Sequence, residues 1–141
     1  MIKKFDEYFG DAKKRLFLDD WRVPTDCAQY MWQRKADCRI YHEKWDIVRS
    51  HGDFIRWIER NGIPDVVSLD YDLDDVEELK ENLPIEDWFD LDDNRSYNGA
   101  DCVRHLIREC EKLKRPLPEY LIHSANPDGS VEMRELLDAN R

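Results

Sequence analysis

Two short segments place carboxylates at the ends of apolar runs: Leu16-Phe17-Leu18-Asp19-Asp20 and Val66-Val67-Ser68-Leu69-Asp70-Tyr71-Asp72. Brought together, these acids would repel one another by about 4 kcal/mol per close pair at an effective dielectric of about 20. A divalent cation, or shared protons, relieves that repulsion. Asp19, Asp20, Asp70 and Asp72 are therefore candidate ligands of one Mg²⁺ or Mn²⁺, hard cations that take carboxylate oxygens and keep waters. Such an ion polarises a phosphoryl oxygen and lowers the pKa of a bound water. Asp70 and Asp72 point to one side if regular strand continues through them, because side chains alternate. The competing reading is that one or two of these acids cap the helices that follow or accept loop N–H groups.

His123 is the second candidate group. It ends an apolar run, next to Ser124 and Asn126, and a histidine of near-neutral pKa can pass a proton to a leaving oxygen or take one from water. Its replacement by alanine is expected to abolish turnover and leave the fold intact. A satisfied core histidine is the alternative. Arg22 follows the first acid pair; it suits a bidentate phosphate clamp and equally a pairing with the surplus acids. Ser124 and Asn126 are candidate phosphate-binding groups before the last helix, whose first amides favour anions. Loop structure explains Asn126-Pro127-Asp128-Gly129 equally well. Gly99 permits close approach by a ligand or by backbone. Tyr71 and Trp21 are either base-stacking aromatics or loop packing. His42, His51 and His105 show no ligand spacing.

The elements that must position these groups alternate. Residues 15–20 and Pro64 to Leu69 read as buried strands, as does 119–124, since a continuous apolar run marks a strand covered on both faces. Thr25 or Asp26 is placed to cap a helix reaching about Lys35. Cys38 to Val48 is β-like but irregular. Ser50 opens a helix with Phe54, Trp57 and Ile58 at helical spacing, and Asn61-Gly62 closes it. Asn98-Gly99 leads into a strongly amphipathic helix with Val103, Leu106, Ile107 and Cys110 on one face, stopped by Pro116 and Pro118. A last helix starts at Ser130. Strands alternating with helices imply right-handed crossovers and a mainly parallel sheet, an α/β three-layer sandwich. In such sheets ligands bind beyond the carboxyl ends of the strands, where the acids and His123 fall. Residues 74–93 hold ten acids and one lysine, with Trp88 and Phe89 among them. This insert reads as a solvated helical segment, with a lid over the active edge as the alternative.

Composition narrows the classes. The chain of 141 residues suits a single domain over 1–141, and its apolar share of 41% supports a real core. The net charge of −10 excludes an extended nucleic-acid surface or an anionic-membrane surface. No apolar run reaches the length of a membrane span and the start has no signal-peptide core, so a cytoplasmic location is expected. Cys27, Cys38, Cys102 and Cys110 form no C-x-x-C pair and read as free thiols, partly in the core.

The layout resembles the receiver domains of response regulators, which place an acidic pair after the first strand, an aspartate after the third and a hydroxyl residue after the fourth. Asp19 with Asp20, Asp70 and Ser124 fall at those positions. A receiver continues into a fifth strand bearing a lysine, which this sequence is expected to lack. Leu18-Asp19-Asp20-Trp21-Arg22-Val23-Pro24, Leu69-Asp70-Tyr71-Asp72-Leu73, Asn98-Gly99-Ala100-Asp101 and Ile122-His123-Ser124-Ala125-Asn126-Pro127-Asp128-Gly129 together look like the cyclic-phosphate-processing receiver-like family, over about residues 15–137. The resemblance implies a receiver-like, flavodoxin-like sandwich converted to act on cyclic phosphates. The expected function is a metal-assisted phosphoesterase taking a small cyclic-phosphate substrate, nucleotide or RNA-end derived. His123, Asp70 and Asp20 would be catalytic; Arg22, Ser124, Asn126 and Gly99 would bind substrate; the four aspartates would hold the metal. Two rivals stand beside it: a non-catalytic module binding a nucleotide or protein, and a D-x-D metal nuclease or phosphatase acting on linear esters.

Overall fold

A computed structural model describes residues 13–32, 39–73 and 97–141. Its elements run β1 (Arg15–Leu18), α1 (Pro24–Trp32), a 3-10 turn (Arg39–His42), β2 (Asp46–Val48), α2 (His51–Asn61), β3 (Val66–Leu69), α3 (Gly99–Leu113), β4 (Glu119–Ile122) and α4 (Pro127–Ala139). The described strands form one sheet in the order β2-β1-β3-β4, every pair parallel. This is the α/β receiver-like sandwich, with no fifth strand among the described residues. The acidic insert and Cys38 lie outside the described residues; Cys27, Cys102 and Cys110 are buried free thiols.

The two central strands are the ones covered on both faces. β3 is buried at every position and β1 from Leu16 onward, whereas the edge strands β2 and β4 keep exposed ends. The two-residue period of a strand sorts their side chains between the faces. Leu16, Leu18, Val67 and Leu69 join Phe54 and Ile58 of α2, Val103 and Leu106 of α3, and Met133 and Leu137 of α4 in the larger core. Phe17 and Val66 face the opposite layer, with Cys27 and Ala28 of α1, Tyr41 and Trp45. The sheet is thus filled on one side by three helices. On the other, α1 and an aromatic cluster fill it: Phe17 meets Tyr41 and Trp45 edge-on, at centroid separations of 6.4 and 6.2 Å.

Local chemistry explains the boundaries. Ser50 caps α2 by accepting the Asp53 N–H, and Gly62 ends it at φ +80°, a left-handed value that favours glycine. Asn98 and Asp101 form a reciprocal capping box at the start of α3. Three boundaries differ from the sequence expectation. The helix expected from Thr25 or Asp26 starts at Pro24, since proline fits a first helical position and Asp26 turns back to accept the Val23 N–H at 2.9 Å. The last helix starts at Pro127 rather than Ser130 for the same reason, capped by Asn126. The irregular 38–48 stretch is strand only from Asp46; ahead of it the 3-10 turn carries Tyr41 into the core.

Gly99 is where α3 meets β3. A Cβ there would fall 2.1 Å from the Asp70 carbonyl oxygen and 2.8 Å from the Met133 sulfur, and the Gly99 N–H already donates to the Tyr71 carbonyl at 2.7 Å. The glycine fastens a helix start to the backbone at the end of β3. Gly99→Ala should therefore destabilise the fold by about 1–3 kcal/mol, the usual range for forced overpacking, in urea unfolding. A change below about 0.5 kcal/mol would show that the helix moves away freely.

Candidate active site

Asp19, Asp70 and His123 each occupy the first position past a strand. Each is tied by its backbone N–H to the neighbouring strand: Asp19 to Val48 O (3.1 Å), Asp70 to Leu18 O (3.0 Å) and His123 to Leu69 O (3.0 Å). The alternation that turns Phe17, Ser68 and Leu121 towards the α1 layer continues one step further. It delivers the two carboxylates and the imidazole to the same side of the carboxyl edge.

Asp19 is wholly buried and hydrogen-bonded through both oxygens. Its Oδ1 accepts the N–H groups of Trp21 (3.0 Å) and Arg22 (2.8 Å), and its Oδ2 meets His123 Nε2 at 3.0 Å. Burial alone would raise its pKa; the His123 hydrogen bond and the two amides outweigh burial and hold it at about 2. The carboxylate is therefore charged, and His123 Nε2 is the donor.

That assignment fixes the rest of a buried chain. His123 Nδ1 lies 2.7 Å from Ser68 Oγ, which lies 2.9 Å from the Tyr41 hydroxyl. With Nε2 protonated in the neutral ring, Nδ1 accepts from Ser68 and Ser68 accepts from Tyr41. Burial lowers the His123 pKa against the pull of Asp19, so the ring is neutral. Phe17 stacks on it at 4.5 Å with an interplanar angle of 1°. His123 has no exposed surface and reaches the edge only through Asp19. The burial of His123 argues against the expectation that His123→Ala leaves the fold intact: the change would open a cavity under Phe17 and strip a buried carboxylate of its donor. Ser68 and Tyr41 were missed by sequence reasoning. The signal for Ser68 was a lone hydroxyl within an apolar strand.

Asp19, Asp20 and Asp70 each bring a carboxylate oxygen within 4.8 Å of the other two. Asp70 carries the strain. Burial, then the charges of Asp19 and Asp20, raise its pKa to about 7 against hydrogen bonds from the Tyr71 N–H (2.8 Å) and the Ser124 side chain. Three hard oxygen donors with mutual repulsion fit a divalent cation. Asp19 also lies near Cys27 and His123, but burial and the charge of Asp19 push the Cys27 thiol up to about 12. Both His123 nitrogens are occupied as well, so that second trio is core packing. Asp72 does not join the acidic trio. Regular strand ends at Leu69, so the alternation expected to align it with Asp70 stops, and its carboxylate receives the Asn126 side-chain amide at 3.3 and 3.4 Å.

The remaining sequence candidates are placed as follows. Arg22 sets its guanidinium 5.2 Å over the Trp21 ring and donates to the His123 carbonyl at 3.4 Å. Ser124 is buried and accepts the Asn126 N–H. Asn126 accepts the Gly129 N–H at 2.9 Å as the cap of α4. Tyr71 packs on Gly129, where a Cβ would meet its ring at 2.2 Å, and its hydroxyl donates to Glu132. Arg49, which carries no sequence signal, donates to the carbonyls of Arg22 (2.5 Å) and Asp19 (3.3 Å) and braces the loop after β1.

Two outcomes follow. Ser68→Ala removes the hydroxyl that links His123 Nδ1 to Tyr41, so it should cost about 1–3 kcal/mol in urea unfolding, more than Tyr41→Phe, which keeps the Ser68–His123 bond. Equal, negligible losses would dissolve the chain. Asp70, with a folded pKa of about 7 against the ordinary 3.8, contributes stability that is complete below the lower value and lost as pH rises through the higher. In chelator, Asp70→Asn should therefore gain melting temperature over the parent as pH rises from 4 to 7 and hold the gain at pH 8. A pH-independent difference would mean that Asp70 ionises normally.

Residues 14–139 match the family described as the cyclic-phosphate-processing receiver domain. No curated protein and no solved structure matches the chain. With the acidic pair after β1, Asp70 after β3 and His123-Ser124 after β4 on one edge of a parallel sheet, the chain belongs to the cyclic-phosphate-processing receiver domain family.

Proposed function

We propose that this chain is a metal-assisted phosphoesterase that opens a cyclic phosphate by adding water. The observation that carries the reading is the trio Asp19, Asp20 and Asp70 gathered at the carboxyl edge of the sheet, in a family named for cyclic-phosphate processing. The trio would hold Mg²⁺ or Mn²⁺, which supplies charge to a phosphoryl oxygen and acidity to a bound water. In the reaction, a water oxygen bonds to phosphorus and one ring P–O bond breaks. The released ring oxygen gains a proton, the water loses one, and a monoester results.

The chain's own groups divide the work. Asp20, half-buried and the most exposed member of the trio, would take the proton of the attacking water. Asp19 is held charged and in one orientation by His123 and the loop amides. His123 is thus a positioning residue, and the proton transfer first expected of it passes to the exposed edge. Arg22 is the cation closest in sequence to the acids and is placed to meet a phosphate oxygen there. Ser124 and Asn126 shape the far side of the edge through Asp70 and Asp72. The linear-ester D-x-D reading loses its basis with Asp72 outside the trio.

Phosphorus NMR of 2′,3′- and 3′,5′-cyclic nucleotides, with Mg²⁺, with Mn²⁺ and with chelator, tests the proposal. One ring type should convert to a monoester with metal and not with chelator, and Asp20→Asn should slow conversion by about 10²–10⁴-fold. A shifted but unconverted signal would replace the hydrolase by a binding module. No change anywhere would remove cyclic phosphates as ligands.

A further inference from the structure

Trp21 stands out among the large apolar side chains of the described residues, with 69% of its surface exposed. Burying such a ring would contribute about 1.5–3 kcal/mol, so core packing does not explain its place. Nor is it on a loose tip. Its backbone N–H is bound to Asp19 Oδ1. The next residue is bound to the same oxygen, and Arg49 grips the loop from below. One face of the indole carries the Arg22 guanidinium, itself anchored on the His123 carbonyl. The result is an aromatic plate, fixed in position and open to solvent, one residue away from the acidic trio.

We infer that Trp21 is a base-stacking platform, so that the cyclic phosphate taken by this site is carried on a nucleoside. The inference rests on the proposed phosphate chemistry and names its substrate class. A base-free cyclic phosphate has no use for an exposed indole beside the carboxylates. In a nucleotide a single ribose separates phosphate from base, and Trp21 follows Asp20 directly with its N–H bound to Asp19 Oδ1, so the indole and the carboxylates belong to one rim. Any base presents a π-face, and a stack on tryptophan is tolerant of base identity. Arg22 extends the platform, because a guanidinium stacks its face on an aromatic plane and bonds acceptors through its edge, as it does here to the His123 carbonyl. Trp21 is thereby a specificity-determining residue: it selects nucleotides over other cyclic phosphates and does not choose strongly among bases.

The test uses the whole chain with Mg²⁺ and three probes: adenosine 3′-monophosphate, adenosine, and ribose 5-phosphate. The Trp21 indole N–H resonance, identified as the one missing from Trp21→Ala, is followed by NMR. Both adenosine compounds should move it and ribose 5-phosphate should not. Trp21→Ala should weaken the nucleotide by about fivefold or more, leave ribose 5-phosphate unchanged, and be largely rescued by Trp21→Tyr. Equal affinity of the parent for nucleotide and ribose phosphate, or an unaffected Trp21→Ala, overturns the platform and leaves the hydrolase standing. Movement of the indole by nucleotide without turnover of any cyclic phosphate sinks the hydrolase and keeps the platform. Failure of every probe to bind overturns the platform.

Discussion

A buried carboxylate that keeps its charge is the constraint on which the carboxyl edge depends. Asp19 has no contact with solvent, and an unpaired charge there would be expelled or neutralised. It remains ionised because all its hydrogen bonding is supplied from inside: two amides of the loop that follows it, and the imidazole of a strand two positions away across the sheet. Each donor is therefore held in turn. The loop must turn back on its own aspartate, which places Trp21 and Arg22 at the rim. The imidazole must present Nε2–H, which requires an acceptor's role for Nδ1 and hence the Ser68 hydroxyl and the Tyr41 phenol behind it.

The charge on Asp19 has a second consequence, felt at Asp70. The two residues follow neighbouring parallel strands, so the sheet register sets them close whatever their side chains prefer. With Asp19 pinned as the anion, Asp70 absorbs the repulsion, and its pKa rises to about 7. A cation would relieve a conflict that the backbone enforces. Gly99 belongs to the same arrangement, since the start of α3 can approach the Asp70 carbonyl only without a side chain. The candidate cation ligands and the residues that bear the strain are here the same ones, as expected where a site is prepared for a ligand rather than for stability.

Much of this was legible in the sequence, and the failures have physical causes. Apolar runs ending in acids marked β1 and β3 with their ends, and helical spacing marked α2 and α3, because burial on both faces or on one leaves a pattern that does not depend on tertiary detail. Asp19, Asp20, Asp70 and His123 were recognisable as edge residues from strand ends alone. Their partnerships were not. The Ser68–His123 bond joins residues 55 apart in the chain, and the Tyr41 hydroxyl comes from a 3-10 turn that no periodicity announces. Asp72 was misjudged because the alternation rule was carried three residues past the end of the strand, where the chain turns to pack Tyr71 on Gly129. Arg49 could not be found at all, since its role is to hold carbonyls, and carbonyls leave no trace in residue type.

The division between buried and exposed groups argues for how the site would work. A proton exchanged with substrate must travel through a group that solvent and substrate can touch, and His123 is not such a group. What a neutral, doubly bonded imidazole can supply is a fixed direction for Asp19 and a donor that does not compete for the cation. A ring nitrogen free to protonate would give Asp19 a cationic partner and weaken its hold on a metal. Burying the histidine between Phe17 and Ser68 keeps it neutral, so the charge of Asp19 is not offset by a cationic partner. In the proposed hydrolase the reactive boundary would then run through Asp20, Trp21 and Arg22, three consecutive residues whose placement follows from the two amide hydrogen bonds to Asp19.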